Sequence, residues 1–458
     1  MKKDILKVFG TNLIKMLVAF ISAFIIPMIL QVDDYGKYKL YTFYASYIGI
    51  THLGYCDGIY LKYGGCSKNQ INDKSIKQEW FTLLLYESCL AIAVTIYGVV
   101  HSDLTIVCLG MTVIPNVIFT FYTQIFQAIG DFSEYARIMN LSTLINLLFN
   151  MLLVFIGVKS YEIYIIGYVF VQVVSLIIGT ISFSREGWLG VSTFSISLLF
   201  SYIKTGFLLM IGNFAYMLFI GIDKWFIQFT MTLSDFSMYS FSSQLLTVIN
   251  MFITPVSMTL YSNMSRRKDK KFEIKIKKIL LVFLMMFPMI IYMISYVISN
   301  YMKQYISAVE IVSVLLLSQT FLLLNLAVFV NMYKTYKKQK EYFLRLVAAL
   351  GIACLMDFFV YKSGASTIGY AVATLISCVF WLGLNITCFP YMKPDKKEIS
   401  YCICMLSIYV LLGFIPNYLI RIIIYLLSYA TVTRYMMRDE WNYGMSQINA
   451  VMNKIRRV

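Results

Sequence analysis

Runs of about 20 apolar residues recur along the whole chain between short polar gaps, and a helix of that length crosses a hydrocarbon core of about 30 Å. The runs are continuous rather than alternating, which selects helices over a closed barrel, the other backbone arrangement that satisfies every N–H and C=O in lipid. They place helices at 9 to 30, 38 to 60, 79 to 100, 104 to 127, 137 to 158 and 161 to 183. A second series follows at 203 to 228, 236 to 261, 279 to 299, 306 to 332, 342 to 361 and 366 to 390, with a last pair at 399 to 415 and 417 to 435. The expected fold class is therefore an all-α integral membrane protein of about 14 transmembrane helices. The first run is too long for a cleavable leader and lacks the small-residue cleavage pattern.

The basic residues collect in every second gap. Of 39 Lys and Arg, only Lys37, Lys39, Lys159, Lys303 and Lys362 fall in the odd gaps, and Lys15, Lys224 and Arg421 fall within helices. The other 31 lie at the two ends and in the even gaps, so the positive-inside rule expects both termini in the cytoplasm. The formal charge of +16 then reports topology and contact with anionic headgroups, and gives no reason to expect nucleic acid as a partner.

Composition removes several function classes. With 59% hydrophobic and 14% charged residues and a mean hydropathy of +0.73, the chain is far from a soluble domain. The gaps are too short for an extramembrane catalytic domain, and no G-x-x-x-x-G-K-[ST] loop is present to hydrolyse ATP. The nine cysteines are scattered and suggest neither a metal site nor a disulfide framework. Of the two histidines, His101 falls in an outer gap and His52 inside a helix.

A repeat sets the expected architecture. Asp34-Tyr35-Gly36-Lys37-Tyr38 between the first two helices is echoed by Asp235-Phe236-Ser237-Met238-Tyr239 between the seventh and eighth, and the same offset pairs Asn12 with Asn213. Six helices separate the copies, so both run in the same direction through the bilayer.

Asp33-Asp34-Tyr35-Gly36-Lys37-Tyr38, then Leu53-Gly54-Tyr55-Cys56-Asp57-Gly58-Ile59-Tyr60-Leu61-Lys62-Tyr63-Gly64-Gly65, resemble the polysaccharide-transport branch of the MOP (multidrug, oligosaccharidyl-lipid, polysaccharide) exporters, which includes the Wzx-type flippases of O-antigen and capsule units. Gly221-Ile222-Asp223-Lys224-Trp225 adds to the likeness. It implies two pseudo-symmetric six-helix lobes around a central cavity, over 1–183 and 203–392, joined by a cytoplasmic linker at 184–202. Two further helices over 393–437 and a cytoplasmic tail over 438–458 follow. It also implies a bacterial inner-membrane location, no enzymatic activity, and alternating access. The implied partner is an undecaprenyl-pyrophosphate-linked glycan, with polymerase and chain-length proteins of the same pathway beside it. No cofactor is implied beyond a coupling H+ or Na+.

Ionisable residues inside apolar helices are functional candidates by default, because burying an unpaired charge is costly. Lys15, with Asn12 one turn before it, can hold pyrophosphate as a point charge or snorkel to headgroups. His52, Asp57, Tyr60, Lys62 and Asn213 complete the expected substrate-binding set. A structural capping or pairing role for Asp57 stays open. Tyr41, Tyr44 and Tyr47 are further residues on which a sugar can stack. Asp223 is the leading ion-coupling candidate and Glu87 its rival. Arg137, Glu310, Asp357 and Arg421 are expected to be solvated or snorkelling. The eight basic residues between Arg266 and Lys278 are expected to form an interfacial amphipathic connector. Two other functions share this helix count: a drug/cation antiporter of the same superfamily, which favours an acidic cavity, and a membrane glycan polymerase or ligase, which usually needs a large outer loop.

Overall fold

The computed structural model describes residues 23 to 455, so Asn12 and Lys15 lie outside the described residues. Among the described residues the chain is helical throughout, without strands, and ten helices are long and apolar enough to cross a membrane. The chain is a multi-pass α-helical membrane protein. It divides into two compact units, Met1–Leu218 and Phe219–Val458, the boundary falling within the helix Ile196–Thr230.

In the first unit the antiparallel helices Asp73–Val100 and Leu104–Ala128 pack along each other, and Leu104–Ala128 also packs against Tyr161–Arg185 and Tyr55–Tyr63. In the second unit Ala308–Leu324 is central, between Thr367–Cys388 and Leu233–Arg267. Helix starts follow from polar residues at the ends of the apolar runs. Asn72, Asp103, Asp131, Asp269, Asp395 and Asn417 each accept a hydrogen bond from the first-turn backbone of the helix they open. These caps satisfy N–H groups that have no carbonyl one turn back.

The expected continuous helix at 38 to 60 is interrupted. Val32–Ser46 ends before a 3-10 turn at Ile48–Ile50, and Tyr55–Tyr63 begins only after Leu53 and Gly54, at φ 49° and 91°. Glycines follow the break where another helix comes close. A Cβ on Gly58 would meet the Tyr202 backbone, and one on Gly206 would meet the backbone of Gly54 and Gly58. Gly54 and Gly58 thus form a small-xxx-small face that lets the helix from Ile196 approach backbone to backbone. This requirement accounts for the glycines of the Leu53 to Gly58 motif.

The Asp33 to Tyr38 motif, expected in a gap, instead forms the first turns of Val32–Ser46, and its copy opens Leu233–Arg267. The two copies bury the same positions. Tyr35 and Phe236, Gly36 and Ser237, and Tyr38 and Tyr239 are all buried within their own units. The glycine of the first copy and the serine of the second are both small and both buried.

The expected connector between Arg266 and Lys278 is a two-residue turn within the second unit, Lys268 in the left-handed region and Asp269 as cap. The helix it opens sinks its charges into that unit. Lys277 pairs with Glu398 at 2.6 Å and donates to the Met392 carbonyl at 3.0 Å, while Glu273 accepts from Tyr336 at 3.0 Å and from Tyr391. Nearby, Lys278 pairs with Asp395 at 2.6 Å, with side chains 26% and 45% exposed. The hydrogen bond from Lys278 holds the Asp395 carboxyl below its usual range. A depressed carboxyl of this kind contributes stability above its unfolded value and loses it as pH falls through its folded value. Asp395→Asn retains the cap and removes the pair, so thermal unfolding in detergent should show a loss of less than about 1 kcal/mol, smaller still in acid.

Candidate functional site

Seven acidic side chains are buried among the described residues: Asp57, Glu79, Glu87, Asp223, Glu273, Asp357 and Glu398. A buried carboxyl without partners is costly, so each can be sorted by what meets it. Glu273 and Glu398 are matched as described above. Glu79, fully buried, accepts from Lys62 at 2.5 Å, Tyr202 at 2.7 Å, Tyr63 at 2.8 Å and Ser75 at 2.9 Å. Its four donors tie the end of Tyr55–Tyr63 to Asp73–Val100 and to the helix from Ile196. The other four acids fall in two places, and in each place one of them, Glu87 or Asp357, keeps an oxygen without a partner among the described residues.

The first is the helix break in the first unit. Residues from the break, with Gln124, Met210, Asn213, Phe214 and Met217, line a cleft of about 190 Å³. It brings together three sequence candidates, His52, Asp57 and Asn213. His52 Nδ1 accepts from the Gly54 N–H at 3.0 Å, which leaves Nε2–H as the ring's remaining donor in the neutral tautomer. Gln124 Oε1 is buried and has no hydrogen-bond partner among the described residues. On the other side of the break, Glu87 Oε2 accepts from Thr51 Oγ1 at 2.9 Å, and its Oε1 has no partner among the described residues. The other members of the substrate-binding set stand apart. Lys62 is engaged by Glu79, and Tyr60 is half-buried away from the cleft lining. Of the tyrosines, Tyr41 is core and shares a hydrogen bond with Thr112 at 2.7 Å, whereas Tyr47 meets Phe214 edge to face at 6.4 Å.

The second place is in the second unit. Asp223 Oδ2 accepts from Tyr239 at 2.5 Å and from Thr374 Oγ1 at 3.0 Å, and its Oδ1 accepts from the Lys224 N–H at 2.7 Å. Asp357, on Gln339–Lys362, lies within electrostatic reach of Asp223. It is 2% exposed, and its Oδ2 has no partner among the described residues. The expected solvated Asp357 is thereby corrected: it sits within two turns of its helix end, but Gln339–Lys362 packs against Thr367–Cys388 and closes over it. Exposed Glu310, and Arg137 paired with Glu134 at 3.1 Å, sit in solvated settings, while Arg421 donates to the carbonyl of Gly413. Sequence reading had not singled out Glu79, Gln124, Tyr239 or Thr374. Tyr239 was within its reach as the repeat partner of Tyr38.

A buried carboxyl held by two hydroxyls, with a second buried carboxyl within electrostatic reach, is a setting that suits a proton or a small hard cation. No group of three or more His, Cys, Asp or Glu able to hold a metal ion occurs among the described residues.

No family model and no curated relative matches the sequence. Among solved structures, the chain is similar to the lipid II flippase MurJ in an inward closed conformation, with 15% identity, 96% of this chain and 99% of that chain covered, and a TM-score of 0.71. A MOP superfamily transporter from Pyrococcus furiosus shows 13% identity over 86% of this chain and 97% of its own, at a TM-score of 0.50. An outward-facing multidrug resistance MATE family transporter of the MOP superfamily shows 14% identity over the same shares, at 0.49. At these identities the likeness establishes the fold, which is of the MurJ type along nearly the whole chain.

Proposed function

We propose that the chain translocates undecaprenyl-pyrophosphate-linked oligosaccharide repeat units from the cytoplasmic to the outer face of a bacterial inner membrane by alternating access. The observation that carries this reading is the end-to-end match to a protein named as a lipid flippase. Such a substrate has a charged, hydrated head and a long apolar tail, and its unaided crossing is opposed by the cost of taking the head's charges out of water. A cleft lined by polar side chains at a broken helix, within an apolar bundle, can supply the head with partners.

Asp223, with Asp357, Tyr239 and Thr374, is the proposed coupling site, and Glu87 is a second carboxyl of the same kind. A bound proton or sodium ion there would neutralise the buried carboxyl charge. Tyr239 and Thr374 hold Asp223 in place, and Asp357, within electrostatic reach of it, keeps a carboxyl oxygen without a partner among the described residues, which a proton or a cation can meet. The pathway polymerase and chain-length proteins are proposed as neighbours.

Deleting the gene in its native host should trap complete lipid-linked units on the cytoplasmic face, and the intact gene should restore them to the outer face. Single units that reach the outer face without being polymerised would turn the assignment to the polymerase. The drug/cation antiporter is the second reading, favoured by one observation: Asp57 is the charged side chain lining the cleft, and it is acidic. Ethidium efflux by the expressed protein, with glycan display unaffected by deletion, would establish it instead.

A further inference from the structure

The cleft at the helix break sets polar side chains in a largely apolar lining and carries no basic side chain among the described residues that line it. Asp57 is its charge, and His52 is held as a neutral ring because Nδ1 already accepts from Gly54. A pyrophosphate placed here would face a carboxylate of its own sign, which repels it. A sugar ring meets none of that penalty. Its hydroxyls donate and accept at once, so they can donate to the Asp57 carboxylate and the unpartnered Gln124 Oε1, and accept from His52 Nε2–H and the Asn213 amide. Phe214, propped edge to face by Tyr47, offers an apolar ring to the C–H face of a pyranose. At about 190 Å³ the cleft is on the scale of one sugar ring rather than of a whole repeat unit.

We propose that this cleft is a subsite for a single uncharged sugar of the glycan head, and that the pyrophosphate is bound elsewhere on the chain. The proposal rests on the flippase reading and adds the division of the head between two places. The carbohydrate is recognised by directed hydrogen bonds to one carboxylate and three neutral polar groups. It follows that this cleft contributes to which repeat units are exported, whereas the phosphate site is common to all.

The test is saturation-transfer NMR on the full-length protein in nanodiscs. The probes are a panel of methyl glycosides of neutral hexoses and N-acetylhexosamines, inorganic pyrophosphate, and tetraphenylphosphonium. At least one glycoside should bind, should not be displaced by pyrophosphate, and should weaken roughly 10- to 100-fold in Asp57→Asn, the loss expected for hydrogen bonds to a charged group. Asn213→Leu, at an exposed position, tests the same cleft without disturbing buried packing and should weaken it in the same direction. Displacement by pyrophosphate, binding of tetraphenylphosphonium alone, or no glycoside binding would overturn the subsite. Export of lipid-linked units, assayed separately on the same variants, distinguishes the two failures. Full export with no glycoside binding removes the subsite and leaves the flippase, whereas unchanged export on gene deletion removes the flippase reading itself.

Discussion

Asp223→Asn is expected to lower transport roughly 5- to 150-fold and to abolish its dependence on an ion gradient, the range of typical coupling free energies. The loss should come from charge rather than from folding. Asparagine keeps one oxygen to accept from the Lys224 N–H, and the Tyr239 and Thr374 hydroxyls, both free to rotate, can accept from its amide in place of donating to a carboxylate. The protein should therefore elute as a single species with a near-normal melting temperature. Asp357→Asn should act in the same direction, because Asp357 lies within electrostatic reach of Asp223. The check is uptake into proteoliposomes under imposed proton and sodium gradients, each collapsed in turn with an ionophore. Transport by both variants with unchanged gradient dependence would remove this cluster from coupling and leave Glu87 as the remaining candidate.

Glu79→Ala is expected to give the largest loss of stability, about 3 kcal/mol, read as a fall in melting temperature in detergent. The substitution leaves two largely buried tyrosine hydroxyls, on Tyr63 and Tyr202, without their acceptor, and each such group costs about 1–3 kcal/mol. The contribution of Lys62 is discounted because its side chain is 39% exposed and can turn to water or headgroups. Lys62→Met should cost less than Glu79→Ala. The carboxylate would keep three neutral donors, from Ser75, Tyr63 and Tyr202, and so remain solvated by the protein. A larger loss in Lys62→Met than in Glu79→Ala would show that the ion pair, and not the tyrosine network, holds these helices together.

The helices were legible in the sequence because their signal is length and apolarity, and both survive without knowledge of packing. Each span expected after the first has a helical counterpart among the described residues. The break at Leu53 and Gly54 was not legible, although the glycines were noted, because it depends on which helix approaches them; Gly206 is about 150 positions away in sequence. The same limit applies to the acids. Asp223 is legible as a charge deep in an apolar run, whereas Asp357 lies near a helix end, where sequence alone predicts a solvated side chain. Burial by a neighbouring helix decided its environment. Glu79 went unremarked because its sequence context is polar, at the start of a run, and its four partners come from three separate stretches of chain. Convergence of His52, Asp57 and Asn213 on one cleft is partly foreshadowed in the sequence, since the repeat marks Asn213, the motif at the end of the second expected helix contains Asp57, and His52 is a histidine inside an apolar run.

The most direct test of the central claim is reconstitution of the purified protein into liposomes carrying undecaprenyl-pyrophosphate-linked oligosaccharide, with the fraction of glycan accessible to an external lectin measured over time. The flippase reading predicts that glycan initially shielded inside becomes accessible, faster than in protein-free liposomes and more slowly with Asp223→Asn. Accessibility that stays at the protein-free rate under every imposed gradient would contradict it.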